Sequence, residues 1–235
     1  MRSLVTLLMM TLPVAAQWKL DDQFQAAKPD DLRAIVSVPP PKGAVVLFDG
    51  TSLDSWTKKD GKKAEWKITD SAMEGFKGHG DIVTKEKFGG RLTLHVEFRV
   101  PYEPKGEGQG RGNSGVYVQG RYEVQILDSY GLKSKNNDCA AIYEVHAPSV
   151  NACKAPTVWQ SFDIEFTAPK FDGKNKTEPA RMTLHHNGVK VHDDVVIDKD
   201  NTRAGAGGDP SQPGPILLQD HGHPVQFRNV WLSQK

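Results

Sequence analysis

The run Leu92-Thr-Leu-His-Val-Glu-Phe-Arg-Val100 alternates apolar and polar residues without a break. On an extended chain Leu92, Leu94, Val96, Phe98 and Val100 point one way, and Thr93, His95, Glu97 and Arg99 the other. A helix needs apolar residues every three or four positions, so this run cannot build an amphipathic helix. It builds a strand with one packed face and one polar face, and a second layer must cover the packed face.

The same pattern recurs in 115–127, 141–146, 162–166, 182–186 and 225–232, and Val45 to Phe48 is a short apolar run ending at Asp49-Gly50. Asn187-Gly188 is the clearest hairpin turn. Helical periods are nearly absent after residue 42, so the chain is expected to be all-β, a β-sandwich or a barrel. With 235 residues it fits one domain. The stretch 202–215, rich in Gly, Pro and polar residues, reads as a long loop. Trp56 and Trp66 are expected in the core.

The first residues look like an export signal. Met1-Arg2 is followed by an apolar run, Leu4 to Val14, too short to span a bilayer. Small residues at Val14-Ala15-Ala16 place cleavage before Gln17. The expected organisation is a signal peptide (1–16), a leader (17–43) with a short helix over 21–35 and an extended Pro39-Pro40-Pro41, then the β domain (44–235). Periplasmic or extracellular location follows, and no membrane span is expected in the mature chain. No Cys stands near the signal end, which disfavours a lipid anchor. Oligomeric state is left open.

Export also bears on the two cysteines, Cys139 and Cys153. An oxidising compartment favours a disulfide between them, about 3 kcal/mol in the chain-entropy model. Cysteine-ligated zinc is not expected, because neither cysteine sits in a C-x-x-C pair.

Residues two apart on a strand share a face, and this rule picks out polar pairs: Glu97 with Arg99, Glu123 with Gln125, Glu144 with His146, and Gln219 with His221 and His223. Plain solvent faces favour Lys, Thr and Ser. Glu, Gln, His and Arg instead suit gripping hydroxyls and moving protons. After the glycine-rich stretch 106–112, Arg111 or Asn113 is placed at a loop-to-strand corner facing a site. Trp159 could stack on a sugar ring or belong to the core. A divalent metal could be held by Glu144 with His146, or by His221 with His223. The net charge of +1 gives no footprint for nucleic acid. The glycine-rich stretch 106–112 runs through Asn113-Ser114-Gly115 into a strand, with no Lys-Ser/Thr pair and no helix after it, so no nucleotide cofactor is expected, and no G-x-S-x-G marks an α/β-hydrolase.

Leu47-Phe-Asp-Gly50 with Leu53 and Trp56, Glu97-Phe-Arg99, Asn113-Ser-Gly115, Tyr122-Glu-Val-Gln-Ile126, Ala141-Ile-Tyr143, Gly214-Pro-Ile-Leu-Leu-Gln219, His221-Gly222 and Val225-Gln-Phe-Arg-Asn229 occur in this order. In these segments, over about residues 44–233, the chain resembles the 3-keto-disaccharide hydrolase domain family. The resemblance implies a concanavalin-A-like jelly-roll sandwich with a concave sugar-binding sheet, and action on glycosides oxidised to a ketone at carbon 3. The chain departs from the family in 102–110 and 202–213, two segments placed to border a site.

A ketone acidifies the neighbouring carbon–hydrogen bond, so the glycosidic oxygen can be eliminated and water added back. That route needs a base, a stabiliser for the enolate oxygen and an acid. His146 or Glu144 is expected as the base and Glu123 as the acid. Arg99, Gln125 or a metal is expected at the enolate oxygen. Asn113, Gln219, His221, Trp159 and Arg228 are expected as sugar contacts, with Arg228 alternatively paired to Glu97. Direct hydrolysis by Glu123 and Glu144 is a different route. A carbohydrate-binding sandwich without catalysis is the alternative in another class, and a purely structural exported protein a third.

Overall fold

The structure, a computed structural model, describes residues 29–235. The expected signal peptide and the start of the leader lie outside the described residues. Of the helix expected over 21–35, the described part is a single 3-10 turn, Pro29–Leu32.

Fifteen strands follow: β1 (Val45–Phe48), β2 (Trp56–Lys58), β3 (Lys67–Thr69), β4 (Ala72–Glu74), β5 (Ile82–Thr84), β6 (Arg91–Arg99), β7 (Ser114–Val118), β8 (Tyr122–Ile126), β9 (Gln160–Thr167), β10 (Lys170–Asp172), β11 (Asn175–Glu178), β12 (Ala180–His186), β13 (Val189–Ile197), β14 (Leu217–Leu218) and β15 (Gln226–Gln234). A large sheet runs β13-β12-β9-β6-β15-β4-β3, with β1 also on β15. A small sheet runs β2-β5-β14-β7-β8. The β10–β11 hairpin stands apart. All pairings are antiparallel, as a sandwich built from hairpins and returns requires.

The alternation decides which side chains fill the space between the sheets. Leu92, Leu94, Val96 and Phe98 of β6 meet Val116 and Val118 of β7 and Tyr122, Val124 and Ile126 of β8 in one buried cluster. Trp56 and Trp66 are buried there too. The turn at Asn187-Gly188 forms as expected, with φ of 54° and 77° joining β12 to β13. The stretch 115–127 is a hairpin rather than one strand. Gln119 (φ 55°) and Gly120 (φ 64°) reverse the chain, a left-handed pair of the kind that matches strand twist.

Two expectations fail here. Residues 141–146 do not form a strand. Ile142 bridges His146, Val145 N donates to the Ile142 carbonyl at 2.8 Å, and Glu144 adopts φ 55°. A tight turn therefore separates Glu144 from His146, and the shared-face argument does not apply to them. Burial here does not follow a period of two: the adjacent residues Ala141 and Ile142 are both fully buried. The expected Cys139–Cys153 bridge is not formed either: both residues are free buried thiols. Hydrogen bonding to Cys139 and burial raise the Cys153 thiol well above its usual range. A protonated thiol is a poor nucleophile for disulfide formation.

The leader is not a free linker. It crosses the outer face of the large sheet over β6 and β15, where Ile35 N donates to the Trp159 carbonyl at 3.2 Å. Ser37 Oγ donates to Glu97, and Asn229 Nδ2 donates to the Val38 carbonyl at 2.8 Å. Beneath it His95 and Glu97 are buried, with His95 Nδ1 2.6 Å from Asp163 and its ring stacked 4.9 Å from Trp231. Burial alone would push His95 down, but hydrogen bonds to Asp163 and Glu97 override it and hold the imidazole at about 9. Burial alone would raise Glu97, but donors from His95, Ser37, Asn229 and Arg228 hold it at about 2.

Candidate active site

On β8 the even residues face the core, so Glu123 and Gln125 face outward from the small sheet. They do not reach open water. The loop carrying Gln109, the turn carrying Tyr143 and the loop carrying Ala204 rise around them. With Asn113, Gln219 and His221 these side chains line a small depression of about 50 Å³. Larger hollows occur elsewhere, one of about 1000 Å³ beside Trp56 and Trp66 and one of about 350 Å³ beside Arg99 and Tyr102. Neither contains a buried ionisable group with an unpartnered atom, and the small depression does.

Backbone pairing sets the depression. Tyr117 stands opposite Glu123 and Gly115 opposite Gln125 in the β7–β8 register. Gln219 N donates to the Gly115 carbonyl at 3.0 Å, which brings the residue after β14 alongside. Tyr143 N donates to the Glu123 carbonyl at 3.1 Å, so the 141–146 turn is hooked on β8. Thr202 Oγ1 accepts from Glu123 N at 3.2 Å and donates to the Arg121 carbonyl at 2.9 Å, anchoring the 202–213 loop.

Glu123 is 1% exposed. The Tyr117 hydroxyl donates to its carboxyl and in turn accepts from Gln219 Nε2 at 2.8 Å. The Gln125 amide nitrogen, turned toward it, donates to Glu123 Oε1 at 3.2 Å and to the Ser114 carbonyl at 3.0 Å. Glu123 Oε2 and Gln219 Oε1 are buried and have no partner. An unsatisfied buried acceptor costs free energy, so two in one depression mark a place that a ligand completes. Burial pushes the Glu123 carboxyl up to about 7, with Asp81 and Glu144 adding to the rise and Tyr117 opposing it. A carboxyl near 7 can hold and release a proton at neutral pH.

Of the residues singled out from sequence, Glu123, Asn113, Gln125, Gln219 and His221 converge on this depression. The others do not. Glu144 sits on the adjoining turn and pairs with Arg203 at 2.6 Å. His146 is exposed, its Nε2 3.2 Å from the Val196 carbonyl. Arg99, Arg228 and Trp159 lie on the outer side of the large sheet. Both guanidiniums pack over the indole, at 4.8 and 4.1 Å, and Arg228 Nε donates to Glu97 at 2.6 Å. Over His95 and Glu97 the large sheet's polar face is covered by the leader and its own ion pairs, while Arg99 borders the hollow of about 350 Å³. Arg111 pairs with Asp128 at 2.8 Å.

The metal pairs expected from spacing do not assemble. His223 Nδ1 is 2.6 Å from Glu103, and neither Glu144–His146 nor His221–His223 gathers a third ligand. Among the described residues the cluster of three possible ligands is Cys139, Cys153 and His186, buried away from the depression.

Sequence reasoning missed Tyr117, Tyr143 and Gln109. Tyr117 was findable: it is two residues from Gly115, hence on the same face. Gln109 and Tyr143 come from loop and turn, where no periodicity says which way a side chain points.

The model of the 3-keto-alpha-glucoside-1,2-lyase-like domain matches residues 43–233. The chain belongs to this family. A crystal structure from Parabacteroides distasonis, described as a candidate glycosyl hydrolase, is 34% identical, with a TM-score of 0.78 over 91% of this chain and 94% of that one. Two further structures so described from the same organism show the same fold, at 19% and 21% identity and TM-scores of 0.60 and 0.57. They cover 83% of this chain each, and 94% and 100% of their own. No curated protein matches the chain. The segments 102–110 and 202–213 both border the depression, through Gln109 and Ala204. They narrow the approach to Glu123.

Proposed function

We propose that this is an exported enzyme that cleaves 3-keto-glycosides by elimination and hydration at Glu123. The observation that carries the reading is the Glu123 carboxyl, buried, raised to about 7 and with Oε2 free in the depression. Family membership supports the substrate class, and the signal-like first sixteen residues support export.

In this reading Glu123, not Glu144 or His146, removes the proton from carbon 2. The electron pair forms the carbon 1–carbon 2 double bond as the carbon 1–oxygen bond breaks. The ketone at carbon 3 carries the developing charge, and the Tyr143 hydroxyl on the depression wall donates to it. His221, at the open rim, gives a proton to the departing oxygen. Gln219 Oε1 accepts a sugar hydroxyl. Water then adds back its oxygen at carbon 1 and a proton at carbon 2, the latter from Glu123. The ketone must be made beforehand by an oxidation.

The test is release of the aglycone from a 3-keto-glucoside and from the same glucoside unoxidised. The keto form should turn over and the unoxidised form should not. Glu123→Gln should lose at least about a hundredfold, the usual span for a proton-transfer group. Equal rates on both forms would overturn the elimination route. Saturable binding with no turnover would favour a carbohydrate-binding protein.

A further inference from the structure

We propose that Cys139, Cys153 and His186 form a site for a thiophilic divalent cation of the zinc class, buried between the 139–153 segment and the large sheet. The three donor atoms lie within 4.8 Å of one another, and all three residues are buried. The spacing argument against cysteine-ligated zinc considered only local pairs. Here the third donor arrives from the end of β12, more than thirty residues on.

The histidine is set up as a ligand. Gln160 Oε1 accepts from Lys154 N at 2.8 Å and from Asn187 Nδ2 at 3.3 Å, which fixes it as the oxygen end of the amide. His186 Nε2 is 3.0 Å from that oxygen, so Nε2 carries the proton. Nδ1 then presents a lone pair, and it is buried with no partner. Fixing the tautomer and ring angle through a carbonyl on the far nitrogen is how ligating histidines are held. The Phe162 and Phe98 rings pack at 5.0 and 6.1 Å and keep the site dry.

Binding would release the two thiol protons and form two metal–sulfur bonds and one metal–nitrogen bond. Two thiolates balance a divalent charge, so the filled site is neutral beside Asp128 and Asp138, whose negative charges are felt at Cys153. At usual bond lengths near 2.3 Å to sulfur and 2.0 Å to nitrogen, the donors need to draw together to about 3.5–4 Å. Three protein donors leave the fourth tetrahedral position without a protein ligand. The cation would brace the segment that carries Tyr143. Ala140 N already donates to the Gln125 carbonyl at 2.8 Å, and Gln125 N to the Ala141 carbonyl at 2.9 Å.

The test uses the full chain purified under reducing conditions, given Zn²⁺ alone and then desalted. Mass spectrometry should find about one ion per chain. With Co²⁺ instead, a sulfur-to-cobalt charge-transfer band should appear in the near ultraviolet. Cys153→Ser and His186→Gln should each lose at least about nine-tenths of the bound zinc. Cys139→Ala, a change of ordinary core size, should do the same if the others fold poorly. Failure of the reduced wild-type chain to retain zinc would overturn the proposal. So would the absence of free thiols in the chain purified without reductant, which would assign the pair to a disulfide.

Discussion

A methyl group placed on Gly115 would lie 2.6 Å from Glu123 Oε1 and 2.8 Å from a ring carbon of Tyr117. The glycine is therefore what lets the carboxyl and the phenol lie against the sheet. Its φ is not in the left-handed region, so alanine meets no backbone strain there. The expected effect of Gly115→Ala is steric and local. Turnover should fall at least tenfold, and urea unfolding should show a loss of about 1–3 kcal/mol, the range for overpacking. Unchanged turnover would mean that the carboxyl position is not what matters.

Glu123 should leave a mark on stability. Its carboxyl is raised in the folded state to about 7, from an ordinary 4.5. The folded chain therefore holds the proton over a range in which the unfolded chain has lost it. Stability should fall as pH rises from about 4.5 to about 7 and level off above. Glu123→Gln removes the cost of ionising a buried group. Relative to wild type it should gain up to about 3 kcal/mol at pH 8 and little at pH 4.5, read by urea unfolding at each pH. Activity should move the other way, rising with pH as the carboxylate forms, with an apparent midpoint near 7.

How much of this was readable from residues alone depends on where they sit. Leu92 to Val100 fixes its own inside and outside, because a strand's period of two leaves no choice. Glu123 and Gln125 were placed together for the same reason, and their partnership in the depression rests on that period. Ile142 to His146 shows the limit. Over five residues an alternating pattern is also compatible with a tight turn, and only the hydrogen bond from His146 N to the Ile142 carbonyl distinguishes them. Arg99 and Arg228 looked like sugar contacts because the sequence does not reveal that residues 35–38 lie across their sheet. The Cys139–Cys153–His186 cluster was invisible for a different reason, since His186 comes from the end of β12, far along the chain from the two cysteines.

The leader contact makes its own prediction. His95 is raised to about 9, so its contribution is complete below about 6.5 and fades as pH climbs through 9. Glu97 is lowered to about 2, so its contribution is complete above about 4.5 and fades as pH falls through 2. The contact should be strongest between about pH 4.5 and 6.5. Glu97→Gln leaves the His95 imidazolium with Asp163 alone and takes the carboxylate from Arg228, and should cost about 3 kcal/mol at pH 6, measured by urea unfolding. A loss under about 1 kcal/mol would argue against the buried pair.

His146 and Arg99 lie outside the depression. His146→Ala and Arg99→Ala should leave kcat/KM on a 3-keto-glucoside within about twofold of wild type, as for surface substitutions. A loss of a hundredfold for His146→Ala would return the base to that residue.

The most direct test of Glu123 as the base is proton exchange at carbon 2. A 3-keto-glucoside and its product are followed by proton NMR in deuterated water with wild type and with Glu123→Gln. Elimination at Glu123 predicts one deuterium at carbon 2 of the product with wild type, and loss of both turnover and exchange in the variant. Turnover and carbon 2 exchange undiminished in Glu123→Gln would contradict it.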